Sequence, residues 1–173
     1  MEPKLILLPN RPNLDPHPVI EQAVSRELGK SVTLAHEKSG KPYLVGHSAS
    51  ISISHCHSTI GIYMGEHSLA LGIDVEDKWD QAARTFSRFA TPKEQVLLNK
   101  IGWLHPLWLW TAKEAVYKAY SDRITHFSKD IQLVEVKKDG ALRMIANGST
   151  PILAQRRLHE WRCAVAIVSM PKQ

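Results

Sequence analysis

Between Ile51 and Glu76 the chain has little freedom to be anything but β-structure. ISISH alternates strictly, with Ile51 and Ile53 on one face and Ser52 and Ser54 on the other. IGIYMGEHSLALGIDVE then reads as a β-ribbon that turns near Gly65-Glu66. The run ends on GIDVE, where Asp74 and Glu76 flank a single valine. In a strand, successive side chains point to opposite faces, so the two carboxylates project together while Ile73 and Val75 pack inward. Two like charges sharing one small volume cost energy unless the face is well hydrated or a cation lies between them.

The flanking segments place this ribbon in a mixed architecture. LILLP reads as a short strand, followed by a loop rich in proline at Pro9, Pro12, Pro16 and Pro18. Val19, Ile20, Ala23, Val24 and Leu28 recur at helical spacing, with Gly29 as a stop. VTLAHEKSG and KPYLVG form a hairpin around Ser39-Gly40. Downstream, QAARTFSRFATPKEQVLLNK is helical and broken near Thr91-Pro92, where Thr91 can cap and Pro92 can start the next helix. TAKEAVYKAY is rich in helix formers, and IQLVEVKK and ALRMIANG turn at Asp139-Gly140. HEWRCAVAIVSM closes the chain as a buried strand. Helix followed by strands thus occurs twice. The expected class is α+β, with two similar α+β halves, residues 1–70 and 71–173, packed together.

With 173 residues, 43% of them hydrophobic, the chain is long enough to fold alone. No run approaches the roughly 20 apolar residues of a membrane span, and the N-terminal apolar run is too short for a signal peptide. The expectation is a cytoplasmic protein with no membrane partner. Cys56 and Cys163 are then expected to be buried thiols. The net charge of +5 suits an anionic partner. Its basic residues are scattered, with no finger spacing, aromatic RNA-binding signature or arginine-rich tail, which argues against nucleic acid.

One motif fails on inspection, and a second offers a metal two histidines at most. LGKS resembles the end of a phosphate-binding P-loop, but Val24 stands where that pattern needs glycine, and Lys30 follows a helix instead of starting one. In SISHCH, His55 and His57 share a strand face with Cys56 opposite, so the three cannot bind one metal while the strand stays regular. A third pattern holds up better. On a helix Trp110, Glu114 and Lys118 form one ridge, so Glu114 can point at whatever Asp74 and Glu76 point at, with Lys118 one turn beyond. Three carboxylates from a strand and a facing helix make a hard-oxygen site suited to Mg²⁺ and phosphate oxygens. Taken singly, each half of the pattern also reads as an ordinary solvated pair.

GKPY, SISH, GIDVE and WTAKEAVYK, in this order and at these intervals, together resemble the 4'-phosphopantetheinyl transferase superfamily, and RFATPKE agrees with its intervening segment. The resemblance is to the larger, pseudo-dimeric single-chain branch, which works as a monomer. It implies an enzyme that moves the phosphopantetheine arm of coenzyme A onto a serine of an acyl or peptidyl carrier protein. By position it implies Asp74, Glu76 and Glu114 as Mg²⁺ ligands, with Glu114 also taking the serine proton. Lys118 would contact the diphosphate, and Lys41, Ser54 and His55 would hold the phosphates and nucleotide end. Arg11 is the candidate for the 3'-phosphate. Lys113 belongs to the signature without an evident role. Carrier proteins of this kind are acidic, which suits the +5 chain. The competing expectation is a homologue that binds carrier or coenzyme A without efficient transfer.

Overall fold

A computed structural model describes residues 2–120, 123–148, 150–159 and 163–172. The first strand, β1 (Lys4–Pro9), leads into helix α1 (His17–Leu28), which Gly29 ends in the left-handed conformation that glycine adopts without a Cβ penalty. β2 (Leu34–His36) and β3 (Pro42–Leu44) form the expected hairpin. β4 (Ser50–His55), β5 (Thr59–Gly65) and β6 (Leu69–Glu76) follow, then the short helices α2 (Trp79–Arg84) and α3 (Phe86–Phe89). α4 (Pro92–Ile101) starts where Thr91 and Glu94 make a reciprocal capping box. α5 (Pro106–Tyr120) carries the second signature, and α6 (Phe127–Asp130) precedes the last strands. These are β7 (Ile131–Val136), β8 (Leu142–Ala146), β9 (Thr150–His159) and β10 (Cys163–Pro171).

The strands make a three-stranded sheet, β1-β5-β4, and a five-stranded one, β6-β10-β9-β8-β7, with antiparallel neighbours throughout. This corrects one expectation. β5 and β6 share no ladder: the chain turns after Gly65 as anticipated, but β6 leaves the first sheet and pairs with β10. Packing explains the switch. On β5, Ile60, Ile62 and Met64 face α1, while Gly61 and Tyr63 face β6. Leu71, Ile73 and Val75 of β6 therefore bury against the back of the first sheet instead of beside β5. Burying side chains of this size contributes about 1.5–3 kcal/mol each. Gly61 permits the contact, because a Cβ there would lie 2.7 Å from Ile73.

The result is a four-layer stack of α1, three strands, five strands and α5, each interface with its own apolar cluster. The helical stretch after β6 is broken once more than expected, between α2 and α3, and β9 was not anticipated. Of the closing segment HEWRCAVAIVSM, His159 ends β9, the strand proper is β10, and residues 160–162 lie outside the described residues. The mixed sheets and helices are those of an α+β protein.

Candidate active site

Alternation along β6 decides which side chains reach the site. With Leu71, Ile73 and Val75 committed to the inter-sheet core, Gly72, Asp74 and Glu76 fall on the face that meets α5. Gly72 sets how close the helix comes: a Cβ there would stand 1.8 Å from the carbonyl oxygen of Ala115 and 2.8 Å from its carbon. That contact is to backbone, so only displacement of α5 could relieve it. Gly72→Ala should therefore lower stability by about 1–3 kcal/mol or more, read from a urea midpoint. It should also push Glu114, next in sequence to Ala115, away from Asp74.

On α5, Leu107, Leu109, Ala112, Ala115, Val116 and Ala119 are buried, while Trp110, Glu114 and Lys118 lie along the open ridge. Lys118 Nζ donates to Asp74 Oδ1 at 2.8 Å. Ser54 Oγ donates to the same oxygen at 2.8 Å from β4. Its neighbour on that face, Ser52, accepts the Ile73 backbone N–H at 3.1 Å, so the two serines of ISISH clasp β6. Burial pushes the Asp74 carboxyl up, against Lys118 and Ser54. Glu114 is half-buried and bonds to no described residue; desolvation, then the Asp74 charge, raise it to about 7. Glu76 is near enough to oppose ionisation of both, and its Oε1 accepts the backbone N–H groups of Asp77 at 3.0 Å and Lys78 at 3.2 Å.

The trio has the ligand chemistry of a hard divalent-cation site: three carboxylates, one of them with no hydrogen-bond donor among the described residues and held partly neutral by burial and by the Asp74 charge. It is not a closed cage, since no group of three metal-ligating side chains stands ready among the described residues. Asp74 Oδ1 and Glu76 Oε1 are spent on internal partners, which leaves the remaining oxygens for an ion that keeps several waters, as Mg²⁺ does.

The raised Glu114 gives a pH signature. Its pKa in the folded protein, about 7, lies above the ordinary 4.5, so folding favours the protonated acid. The stabilising contribution is full below 4.5 and lost as pH rises through 7. Urea midpoints of the protein alone should fall across this window. Glu114→Gln should flatten that part of the profile; an unchanged slope would show that Glu114 is not the titrating group.

Cavities flank the carboxylates. One of about 160 Å³ runs between Lys118 and Lys41, floored by Ser52 and Ile53. Another, about 410 Å³, brings Glu76 together with His55, Cys56 and Asn10. A third, about 210 Å³, sets Glu76 beside Trp110 and Phe89. Ser54 and Lys118 thus meet at Asp74, Glu76 and Glu114 act on it through their charges, and Lys41 and His55 stand on the walls of the adjoining cavities. Arg11 is exposed and lines none of these three cavities, although its neighbours Asn10 and Pro12 line the second.

The family profile of the 4'-phosphopantetheinyl transferase superfamily matches residues 70–166, more than half of the chain. This chain belongs to the 4'-phosphopantetheinyl transferase superfamily. No curated protein matches it closely enough to count as a relative. Membership carries a transferase of the phosphopantetheinyl type with coenzyme A as its substrate.

The structure also supplies a role for the superfamily-signature lysine. Lys113 is fully buried, and its ammonium bonds Glu94 Oε2 at 2.9 Å and the Phe89 carbonyl at 3.0 Å. Glu94 in turn accepts the Thr91 N–H at 2.7 Å and the Leu133 N–H at 2.7 Å. One carboxylate therefore ties α4, α5 and β7 together. Lys113 holds the helix in place, while Glu114, its neighbour, faces the site. Only the coincidence of RFATPKE with the helix signature hinted at this pair.

Proposed function

We propose that this transferase moves the 4'-phosphopantetheine group of coenzyme A onto a serine of an acidic acyl or peptidyl carrier protein, with Mg²⁺ as the working ion and 3',5'-ADP released. The observation that carries the reading is that Asp74, Glu76 and Glu114 lie near enough for their charges to act on one another, with Lys118 bonded to Asp74. The three carboxylates would hold the ion. When bound, it would offset negative charge on the diphosphate oxygens.

The protein's own tasks are alignment and proton transfer. The serine Oγ forms a bond to the phosphorus that carries pantetheine, and the bond from that phosphorus to the bridging oxygen breaks. Glu114 takes the hydroxyl proton, directly or through a water, since a carboxylate with its pKa near neutrality suits a general base. Lys118 neutralises the departing 3',5'-ADP. Ser54 and His55 contact phosphate, Lys41 holds the nucleotide end through the cavity it shares with Lys118, and Arg11 reaches the 3'-phosphate.

In this reading residues 1–70 and 71–173 are two halves of a pseudo-dimer acting as a cytoplasmic monomer. The stack of two helix-backed sheets supports the division into halves. The test is incubation with an apo carrier protein, coenzyme A and Mg²⁺. The carrier should gain the mass of one phosphopantetheine group on its serine. Fatty-acid, polyketide and peptide carriers that all stay apo with the folded protein would overturn the proposal.

A further inference from the structure

Cys56 and Cys163 are separated by 106 residues, yet their sulfurs lie 3.4 Å apart across the inter-sheet core. Their surroundings are unequal. Cys163 is fully buried on β10, which is laddered to β6 on one side and β9 on the other. Cys56 is half-buried in the turn after β4, and it lines the cavity of about 410 Å³ together with His55 and Glu76. A small molecule in that cavity can therefore reach Cys56, while Cys163 is fully buried and does not line that cavity.

We propose that Cys56 and Cys163 form a reversible disulfide by exchange with a low-molecular-weight disulfide that enters this cavity, and that closing it displaces His55 and weakens coenzyme A binding. The second part rests on the function proposed above. In the first step the Cys56 thiolate attacks one sulfur of the small disulfide, whose S–S bond breaks and expels one thiol. In the second, Cys163 gives up its proton and attacks the Cys56 sulfur, expelling the other thiol. Two protein thiols lose two electrons, and one small disulfide becomes two thiols. The Cys163 and Ser58 groups hold the Cys56 thiol down to about 7, while Cys163 is raised, which fits attacker and resolver in that order.

The geometry says which side moves. A disulfide needs its sulfurs about 2.05 Å apart, so they must close by more than 1 Å. Cys163 pairs with His159 of β9 and precedes Ala164, which is laddered to both neighbouring strands, whereas Cys56 is held by the Thr59 carbonyl and Asn10 at the end of an edge strand. The displacement falls on Cys56 and on its neighbour His55.

Reduced protein should be treated with oxidised glutathione and followed by intact mass, iodoacetamide labelling and calorimetric coenzyme A titration. The wild type should end lighter by two hydrogens, with both thiols protected, and bind coenzyme A several-fold more weakly until dithiothreitol restores it. Cys163→Ser should stop at a glutathione adduct on Cys56, and Cys56→Ser should not react. A wild type that keeps the glutathione adduct or never reacts overturns the disulfide. A closed disulfide with unchanged coenzyme A affinity overturns its effect on the site. If the reduced protein binds no coenzyme A, the proposed function fails, while the mass result still decides the disulfide.

Discussion

Asp74→Ala should cost transfer activity about 10³-fold or more while leaving the protein folded. The carboxylate is almost fully buried between strand and helix, and one of its oxygens receives both Lys118 and Ser54 at 2.8 Å. Removing it takes a negative charge from the cation site and the anchor from Lys118 together. Lys118 is still 28% exposed, so its ammonium can turn to water instead of being stranded, which is why the fold should survive. Asp74→Asn separates the two contributions, since an amide oxygen still accepts from Ser54 but carries no charge. Both variants should be inactive in a carrier mass-gain assay, with unfolding midpoints near the wild type. A fully active Asp74→Ala enzyme would refute the placement of the ion.

The second large effect is on stability. Glu94 and Lys113 are 1% and 0% exposed, and breaking such a pair by deleting one member typically costs about 3–5 kcal/mol. The two deletions should differ. Glu94→Ala strands the Lys113 ammonium on carbonyls alone and removes the acceptor for the Thr91 and Leu133 N–H groups. Lys113→Met leaves a carboxylate that still has those donors. Glu94→Ala should therefore be the more damaging by urea denaturation, and a double-mutant cycle should return a coupling of at least about 1 kcal/mol. Equal and small losses for both would mean that the pair does not hold α5.

What the sequence made legible was local or periodic. Gly29, the Thr91 cap, the Asp139-Gly140 turn and the ridge of Trp110, Glu114 and Lys118 each depend on a few neighbouring residues, and each appears as read. The strand phase at GIDVE placed Asp74 toward α5 for the same reason. What was illegible depends on partners far along the chain. Nothing in residues 59–76 says that β6 will desert β5 for β10, because alternation looks the same whether a strand pairs with its predecessor or packs on its face. β9 hides behind Gln155-Arg156-Arg157, whose polarity suits a loop; Arg156 is accommodated because its guanidinium stacks over Trp103 and Trp108. The meaning of Lys113 waited on Glu94, nineteen positions away.

The clasp of β4 on β6 has a dynamic consequence. Within each sheet, adjacent strands are joined by runs of main-chain bonds, but where β4 meets β6 the side chains of Ser52 and Ser54 make the hydrogen bonds, to the Ile73 amide and to Asp74. Such a seam can part without melting either sheet, so slow proton exchange at Ile73 should report breathing between the two layers. A molecule bridging Lys41, on the first layer's hairpin, and Lys118, on the second layer's helix, would suture that seam and should slow the exchange of this single amide more than that of its neighbours.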